Sequence, residues 1–507
     1  MLSPSILLLG ALCLSLLTLR SIHQRFQRRR NAKKWGCQPA TVLPSGFFGL
    51  DAFLDLTRAI RKNHLVEFIA GRYDVYGNTF MQSMLGRTAI STIEPENLKA
   101  VLATQFNDFC LGTRNREFYP TLGDGIFTLD GAGWSHSRAM LRPQFARAQV
   151  ADLDQLDGHV TRMIELIPKD GSVFDIQKLF YLLTIDSATH FLFGESVGAM
   201  EDNAVLGKSS VGNAQGFANA FDKSMEYLNW RSMSQSFYWL INPKEFRELN
   251  RCVHEVVDHY VYRAIEATRN PQEKKDPERY IFAEALAAEN NDPKFLRDNM
   301  LNILLAGRDT TAGLLSSAFF LLARHPTTWD KLHRVIIEEF GDAQNPKGEI
   351  THARVKDLPY LRHFLNEVLR FLPPVPLNFR VATKDTSLPL GGGPGGKSPV
   401  FVKEGQAVLY SVYAMHRRKD LYGPDADTFR PERWEENSKR GWEFLPFNGG
   451  PRICLGQQYA LTEASYTLVR LMQRFNRVDN GDPSLKLPVI RSNLTTFHAE
   501  GVKVRLY

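Results

Sequence analysis

The chain has 507 residues, of which 43% are apolar and 23% are charged. This composition is typical of a globular protein and excludes an intrinsically disordered chain. The net charge of +7 arises within residues 20–34: removing their seven basic residues from the total of 62 leaves 55, equal to the 55 acidic residues. Because the remaining body is neutral, the sequence gives little support to a nucleic-acid partner.

The first element in the chain is an uncharged apolar run, SILLLGALCLSLLTL, from Ser5 to Leu19. With the residues before it, this run is about the shortest stretch that crosses a bilayer, which needs roughly 17–25 residues. A cleavable signal would carry its basic residues before the apolar run, whereas here they follow it. We therefore expect a transmembrane anchor at residues 1–19 and a catalytic body on the cytoplasmic side.

The segment at residues 20–50 is expected to be a basic stop-transfer region followed by a linker that contains proline and glycine. The five cysteines, at positions 13, 37, 110, 252 and 454, show no paired spacing. Such scattered cysteines are typical of proteins in a reducing compartment.

Residues 51–507 are expected to form one large domain that is mainly α-helical with minor β-sheets. Helical periodicity dominates from Asp51 to about Pro326. Strand-like pieces occur near both ends of the body, namely NTFMQSML, GRTAISTI, PVFVKEGQAVLY and FHAEGVKVRLY.

Two segments could be misassigned from their composition. The stretch LRDNMLNILLAGRDTTAGLLSSAFFLLARHP resembles a second membrane span, but Asn302, Arg308 and Asp309 interrupt it, so it is expected to be a buried core helix. The stretch GGGPGGKS, from Gly391 to Ser398, matches a phosphate-binding loop. That loop must lead into a helix, whereas Pro399 and VFV follow here, so a hairpin loop is expected instead.

Three short motifs carry candidate chemistry in chain order. WSHSR places two hydrogen-bond donors, Trp134 and Arg138, one helical turn apart, which suits an anion but also fits a core tryptophan beside a surface arginine. AGRDTT places Asp309 and Thr310 beside a small Ala-Gly pair, where they could hold water and relay protons. The alternative for AGRDTT is a helix cap or a surface acid.

The third motif, NEVLR, places Glu367 and Arg370 three residues apart in apolar surroundings, with Arg433 of FRPERW as a further partner. Such a pair is usually an exposed ion pair, and Glu248 with Arg251 has the same spacing in an ordinary charged helix. A buried pair would need additional hydrogen bonds to offset its desolvation.

The most distinctive stretch is FNGGPRICLG, Phe447 to Gly456, which crowds three glycines and a proline around one arginine and one cysteine. It is either a surface turn with an incidental cysteine or a loop whose amides approach a thiolate. The order WxxxR, AGxDTT, ExxR, PERW and FxxGxRxCxG resembles a cytochrome P450 from about residue 35 to the end.

This resemblance implies the cytochrome P450 fold and a haem b whose iron is ligated by Cys454. It implies that Phe447, Gly450, Arg452 and Gly456 shape the cysteine loop and that Asp309 and Thr310 deliver protons to dioxygen. The residues implied to bind the haem propionates are Trp134, Arg138, Arg452 and Arg380. The buried triad implied to support the loop is Glu367, Arg370 and Arg433.

The implied reaction is insertion of one oxygen atom into a C–H bond, with electrons from NADPH through cytochrome P450 reductase at the endoplasmic reticulum membrane. The wider motifs resemble the fungal alkane- and fatty-acid-hydroxylating branch, which implies attack on a terminal carbon. Animal ω-hydroxylases have a glutamate where this chain has Ala306, so no covalent haem link is expected. Four aromatic-rich stretches are expected to form the substrate pocket: 106–130, 217–239, 375–379 and 495–497.

Three alternatives remain open at this point. A P450 of a fungal secondary-metabolite pathway would carry the same motifs and oxidise another lipophilic compound. A haem-thiolate isomerase or dehydratase would share the cysteine loop but usually lacks the pair that Asp309 and Thr310 form. A phosphate-loop NTPase would need a strand, loop and helix at Gly391.

Overall fold

The computed structural model of the chain describes residues 4–145, 153–201, 214–269, 280–436, 440–484 and 487–507. The first helix, α1, is continuous over Pro4–Lys34 and includes most of the expected anchor, whose first three residues lie outside the described residues. Within the described part of the chain, no helix combines the length and the apolar character that crossing a membrane requires.

Helices dominate the body, as the sequence predicts. Those of the first half are α2 (Leu50–Arg61), α3 (Leu65–Tyr76), α4 (Pro95–Lys99), α5 (Arg114–Leu122), α6 (Gly131–Leu141), α7 (Asp154–Glu165), α8 (Ile176–Phe193), α9 (Ala214–Met233) and α10 (Lys244–Arg269). Those of the second half are α11 (Phe282–Glu289), α12 (Pro293–Leu322), α13 (Pro326–Phe340), α14 (His352–Lys356), α15 (Pro359–Phe371), α16 (Val412–Met415), α17 (Lys419–Tyr422), α18 (Arg433–Glu436) and α19 (Gln457–Arg474).

The strands are short and build small sheets. They are β1 (Thr41–Val42), β2 (Thr79–Met84), β3 (Arg87–Thr92), β4 (Phe109–Cys110), β5 (Phe174–Asp175), β6 (Leu377–Ala382), β7 (Thr386–Gly392), β8 (Ser398–Val402), β9 (Ala407–Ser411), β10 (Val478–Asn480), β11 (Ile490–Ser492), β12 (Thr496–His498) and β13 (Lys503–Leu506). The largest sheet has the order β1-β2-β3-β9-β6-β4. The strands β7 and β8 form an antiparallel hairpin.

This hairpin decides the assignment of the glycine-rich stretch 391–398. The stretch connects β7 to β8, and Ser398 begins the second strand instead of a helix. The expected hairpin loop is therefore confirmed, and the amides needed to cradle a phosphate at a helix start are absent from this described segment.

The long helix α12 runs through the middle of the core. The side chain of Asp292 caps its start by accepting a hydrogen bond from the Lys294 N–H, and Pro293 occupies the first turn, where no donor is needed. Its C-terminal half packs in a large apolar cluster with α8, α13, α15 and α19, and its N-terminal half in a second cluster with α9 and α10. The segment is therefore the buried core helix that the sequence predicts.

Candidate active site

The cysteine loop has a backbone shape that only its glycine pattern permits. The Cys454 N–H donates to the Phe447 carbonyl at 3.0 Å, and the Ile453 N–H donates to the Gly450 carbonyl at 3.0 Å. Gly450 has a φ of 68°, and a Cβ added there would lie 1.8 Å from the Leu102 carbonyl oxygen. Any side chain at Gly450 would force the loop away from the segment beneath it.

The Cys454 thiol lies within the protein but is accessible, because it faces a large internal cavity. Burial raises the pKa of this thiol, while the Gly456 N–H and, more weakly, the Arg138 guanidinium lower it. Gly456 is also the residue from which α19 starts, so the positive end of that helix points toward the sulfur. A metal ion in the cavity would complete the stabilisation of the thiolate.

The cavity has a volume of about 860 Å³ and connects Cys454 with the helix α12 and one face of the largest sheet. The expected pocket stretches contribute in part: Leu111–Phe118 and Ile126–Phe127, then Asn229–Gln235, then Val375–Phe379, and finally Thr495 contain lining residues. Thr496 and Phe497 are not among the lining residues. The residues that line it from β2, β3 and α3 lie outside the pocket stretches expected from the sequence.

Trp134 and Arg138 lie on α6 beside the cysteine loop, and both line the cavity. Arg138 donates from Nη1 to the Ile453 carbonyl at 3.0 Å, which ties α6 to the loop. Trp134 is 8% exposed, yet its indole N–H has no acceptor among the described residues. This donor is available to a group inside the cavity.

Three further arginines, Arg114, Arg380 and Arg452, cluster at the same wall. Burial, together with the nearby Arg380 charge, lowers the pKa of Arg114 to about 10. Burial likewise lowers the pKa of Arg452 to about 10, although Asp130 opposes this effect. Arg452 donates to the Asp130 carboxylate at 2.7 Å, and this is the one carboxylate paired with these three arginines within the described chain.

These observations test whether the site fits the haem that the resemblance implies. A haem carries two carboxylates on one edge and needs one axial ligand from the protein. The cavity offers the Cys454 thiol, the unpaired Trp134 donor and a group of mutually repelling arginines that bound anions would stabilise. The residues present therefore fit a haem.

Two adjacent residues of α12 point in different directions. The Thr310 side chain lines the cavity, and its hydroxyl donates to the Ala306 carbonyl at 2.6 Å. Asp309 is 8% exposed and is not a lining residue. Successive residues on an α-helix are rotated by about 100°, which explains why only the threonine faces the cavity.

Asp309 belongs instead to a charge cluster between α12 and α9, in which Arg308 is buried and Asp222 is exposed. Its carboxylate accepts a hydrogen bond from Arg308 at 3.1 Å, and Arg308 also forms a two-pronged ion pair with Asp222. The Arg308 guanidinium lies 5.2 Å from the centre of the Tyr181 ring. Burial raises the pKa of Asp309 to about 6, and the Arg308 charge partly opposes this shift.

Glu367 and Arg370 form a fully buried ion pair within α15, unlike the exposed pairs of α10. Both Glu367 oxygens accept from Arg370 at 2.8 Å, and one also accepts from Arg433 Nε at 3.0 Å. The Trp434 indole at 3.0 Å and the Arg430 N–H at 2.9 Å complete the set. Five hydrogen bonds to one carboxylate supply the compensation that a buried charge needs.

This charge cluster connects to the segment that leads into the cysteine loop. Arg370 donates to the His416 carbonyl at 2.8 Å, and the His416 ring accepts from the Leu445 N–H at 3.0 Å. Burial lowers the pKa of His416 well below its usual value, so the ring is neutral and able to accept. Leu445 lies two residues before Phe447, where the loop begins.

Sequence reasoning missed several members of the site. Arg114 and Asp130 have no motif around them, and only the folded chain brings them to Arg452. Trp434 directly follows Arg433 in PERW, and that adjacency was a usable signal. His416 carries no sequence signal that separates it from an ordinary core histidine.

Comparison with known proteins agrees with this geometry. A family model described as Cytochrome P450 matches residues 44–494. Cytochrome P450 52A12 of Debaryomyces hansenii is 51% identical over 483 residues, covering 94% of this chain and 93% of the relative. Cytochrome P450 52A5 of Candida maltosa is 50% identical over 482 residues, covering 92% and 91%. Cytochrome P450 52A6 of Candida tropicalis is 48% identical over 486 residues, covering 94% and 93%.

Proposed function

Because the chain belongs to the cytochrome P450 family, we propose that it hydroxylates the terminal carbon of long-chain alkanes or fatty acids. It is a haem-dependent monooxygenase that uses dioxygen, a redox partner and a hydrophobic substrate. The observation that supports the substrate class is the cavity of about 860 Å³, whose lining as a whole is mostly apolar and which reaches Cys454. Such a cavity suits a flexible hydrocarbon chain.

Bound haem supplies the oxygen chemistry: one atom of O₂ enters the substrate C–H bond and the other leaves as water, with two protons and two electrons consumed. In this proposal the Cys454 thiolate would bind the haem iron, and Trp134, Arg138, Arg380 and Arg452, joined by Arg114, would hold the propionates. These assignments are supported by the arginines at this wall, which outnumber the carboxylates paired with them and are therefore available to bind anions.

The remaining residues of the cysteine loop maintain its shape around the sulfur. Phe447 supplies the carbonyl that the Cys454 N–H binds, and Gly450 permits the left-handed turn. Gly456 directs its N–H at the thiolate, which reduces the negative charge on sulfur. The cluster of Glu367, Arg370 and Arg433 has a structural role, because its hydrogen bonds hold the segment before the loop.

Thr310 and Asp309 are proposed to move protons on the other side of the cavity. The Thr310 hydroxyl lies at the cavity wall, where it could donate to water in the cavity once it rotates away from the Ala306 carbonyl. Asp309 has a pKa of about 6, which allows it to take up and release a proton near neutral pH. To reach Thr310 it must exchange its contact with Arg308 for water or for the hydroxyl.

The proposed redox partner is NADPH–cytochrome P450 reductase, at the cytoplasmic face of the endoplasmic reticulum membrane. We assign residues 1–19 as a single-pass anchor, 20–50 as the connecting segment and 51–507 as the catalytic domain. Exposed apolar side chains support a membrane location: Phe47 is 86% exposed and Trp239 is 62% exposed. An anchor shared with the reductase would raise the effective concentration of each partner.

The function is tested by supplying membranes that contain the protein with reductase, NADPH and a panel of long-chain fatty acids and alkanes. The expected products are terminal alcohols, and each substrate should shift the haem absorption when it binds. Neither turnover nor a spectral shift across the panel would contradict the proposal and would favour a secondary-metabolite substrate instead.

A further inference from the structure

The cavity has a second charged position, on α3 and the adjoining hairpin of β2 and β3, away from the arginines assigned to haem. Arg72 of α3 lines the cavity and is partly buried. The other cavity-lining cations outside the haem cluster, Arg87 and Lys403, are exposed. Arg72 is thus the cation whose surroundings are most removed from bulk water on this side.

The wall around Arg72 is otherwise largely apolar. In β2, Phe80, Gln82 and Met84 point to the same side of the sheet, because alternate residues of a strand share a face. The register pairs Gln82 with Ala89 and Phe80 with Ser91, and all four of these residues line the cavity. Arg87 and Thr88 of β3 also line the cavity but are exposed, so Gln82 and Ser91 are the less exposed polar side chains on this part of the wall.

Arg72 contacts both kinds of surface. It donates from Nη1 to the Gln82 side-chain oxygen at 2.9 Å, and the Gln82 amide donates to the Ser91 hydroxyl at 3.1 Å. Its guanidinium lies 4.4 Å from the centre of the Phe68 ring. Arg72 makes no other hydrogen bond and no ion pair within the described parts of the chain, so most of its five donors remain available.

The nearest acidic side chains do not neutralise this charge. Asp51 accepts from the Gly46 N–H at 2.8 Å, and Asp55 pairs with Arg58 at 2.7 Å. Both act on Arg72 only at longer range. Burial lowers the pKa of Arg72, because an apolar surface destabilises a cation that has no acidic partner.

We propose that Arg72, supported by Gln82, binds the carboxylate of a fatty-acid substrate. This inference rests on the proposed function and selects fatty acids within it. A planar guanidinium matches a carboxylate with two parallel hydrogen bonds, and the partly buried setting strengthens them. With its carboxylate held there, the acyl chain extends through the cavity and presents its methyl end to the side lined by Cys454 and Thr310.

A purely structural alternative is that Arg72 only ties α3 to β2 through Gln82. The two roles differ in their dependence on the ligand. A structural role would weaken every substrate equally, whereas a carboxylate site would discriminate palmitate from hexadecane and from methyl palmitate, which have similar chains but carry no negative charge.

The test titrates the haem-loaded full-length protein with these three compounds and follows the absorption shift on binding. R72M retains much of the side-chain bulk without the charge. We expect it to weaken palmitate binding about ten- to a hundredfold, the loss of a charged hydrogen-bonded pair, and to leave hexadecane within about twofold. R61M is the matched control, since Arg61 is exposed on neighbouring α2 and does not line the cavity.

Wild-type protein alone also decides the matter, should R72M fail to fold. Palmitate must then bind about tenfold or more tightly than methyl palmitate, and equal affinities would overturn the proposal. The proposal would also be overturned if R72M lost equal affinity for palmitate and for hexadecane, or if only R87M lost affinity for palmitate. If hexadecane shifts the haem absorption of wild-type protein but R72M keeps the wild-type affinity for palmitate, this inference alone fails. If wild-type protein responds to none of the compounds, the proposed function fails with it.

Discussion

Replacing the buried Glu367 by glutamine should destabilise the protein far more than replacing an exposed glutamate. The carboxylate accepts five hydrogen bonds, and its side chain is 0% exposed. In E367Q the new amide N–H₂ would face guanidinium donors, leaving Arg370 and Arg433 buried and poorly paired. Breaking a buried ion pair in this way costs about 3–5 kcal/mol, a large share of the 5–15 kcal/mol that typically stabilises a domain.

The matched control is E248Q on α10. Glu248 pairs with Lys244 at 3.4 Å and is 52% exposed, so its loss should cost about 0–1 kcal/mol. A milder variant of the cluster is W434F, which removes the single 3.0 Å hydrogen bond to Glu367 and should cost about 1.5–3 kcal/mol.

Urea unfolding of the haem-loaded proteins, followed by haem absorption and by circular dichroism, measures these differences. Of the three variants, E248Q is predicted to be the most stable, W434F intermediate and E367Q the least stable. An E367Q protein that unfolds at the same urea concentration as E248Q would refute the reasoning that this cluster supports the cysteine loop.

Three further predictions concern single residues. T310A should retain haem but divert electrons to peroxide, measured as peroxide formed per NADPH consumed; unchanged coupling would contradict the proton-delivery role. G450A should lose haem, because its Cβ would lie 1.8 Å from the Leu102 carbonyl oxygen, whereas G441A, with nothing within 4 Å, should retain it. Haem content per protein measures both, and equal loading would exclude the steric argument. Burial raises the pKa of Asp309 to about 6, so the folded state holds its proton more firmly than the unfolded chain, and stability falls as the pH rises from about 4 to about 6. D309N lacks that fall, so its unfolding free energy relative to wild type should be higher at about pH 7 than at about pH 5; a constant difference would contradict the shifted pKa.

Short motifs made much of this site predictable from sequence. The residues around Cys454 and the pair of Glu367 and Arg370 depend on local spacing and backbone shape, which a sequence displays directly. The buried helix α12 was predictable as well, because its apolar run is too short and too interrupted to cross a membrane.

Contacts between distant segments were not predictable in the same way. Arg114 joins the arginine cluster only in the folded chain, where its side chain reaches Asn378 and Phe379 of β6, and no local pattern marks it. Asp309 and Thr310 are neighbours in sequence, but successive residues of a helix point in different directions. Thr310 therefore faces the cavity, whereas Asp309 lies beside Arg308, which is paired with Asp222 of α9. Arg72 stands out only once the cavity shows that the wall beside it is apolar.

The most direct test of the central claim is the carbon monoxide difference spectrum of reduced membranes from wild type and C454A. If the Cys454 thiolate binds the haem iron, wild type gives the strongly red-shifted band that thiolate ligation produces, and C454A does not. The account would be contradicted if C454A gave a red-shifted band as intense as that of wild type. It would also be contradicted if folded, haem-containing wild-type protein gave no such band.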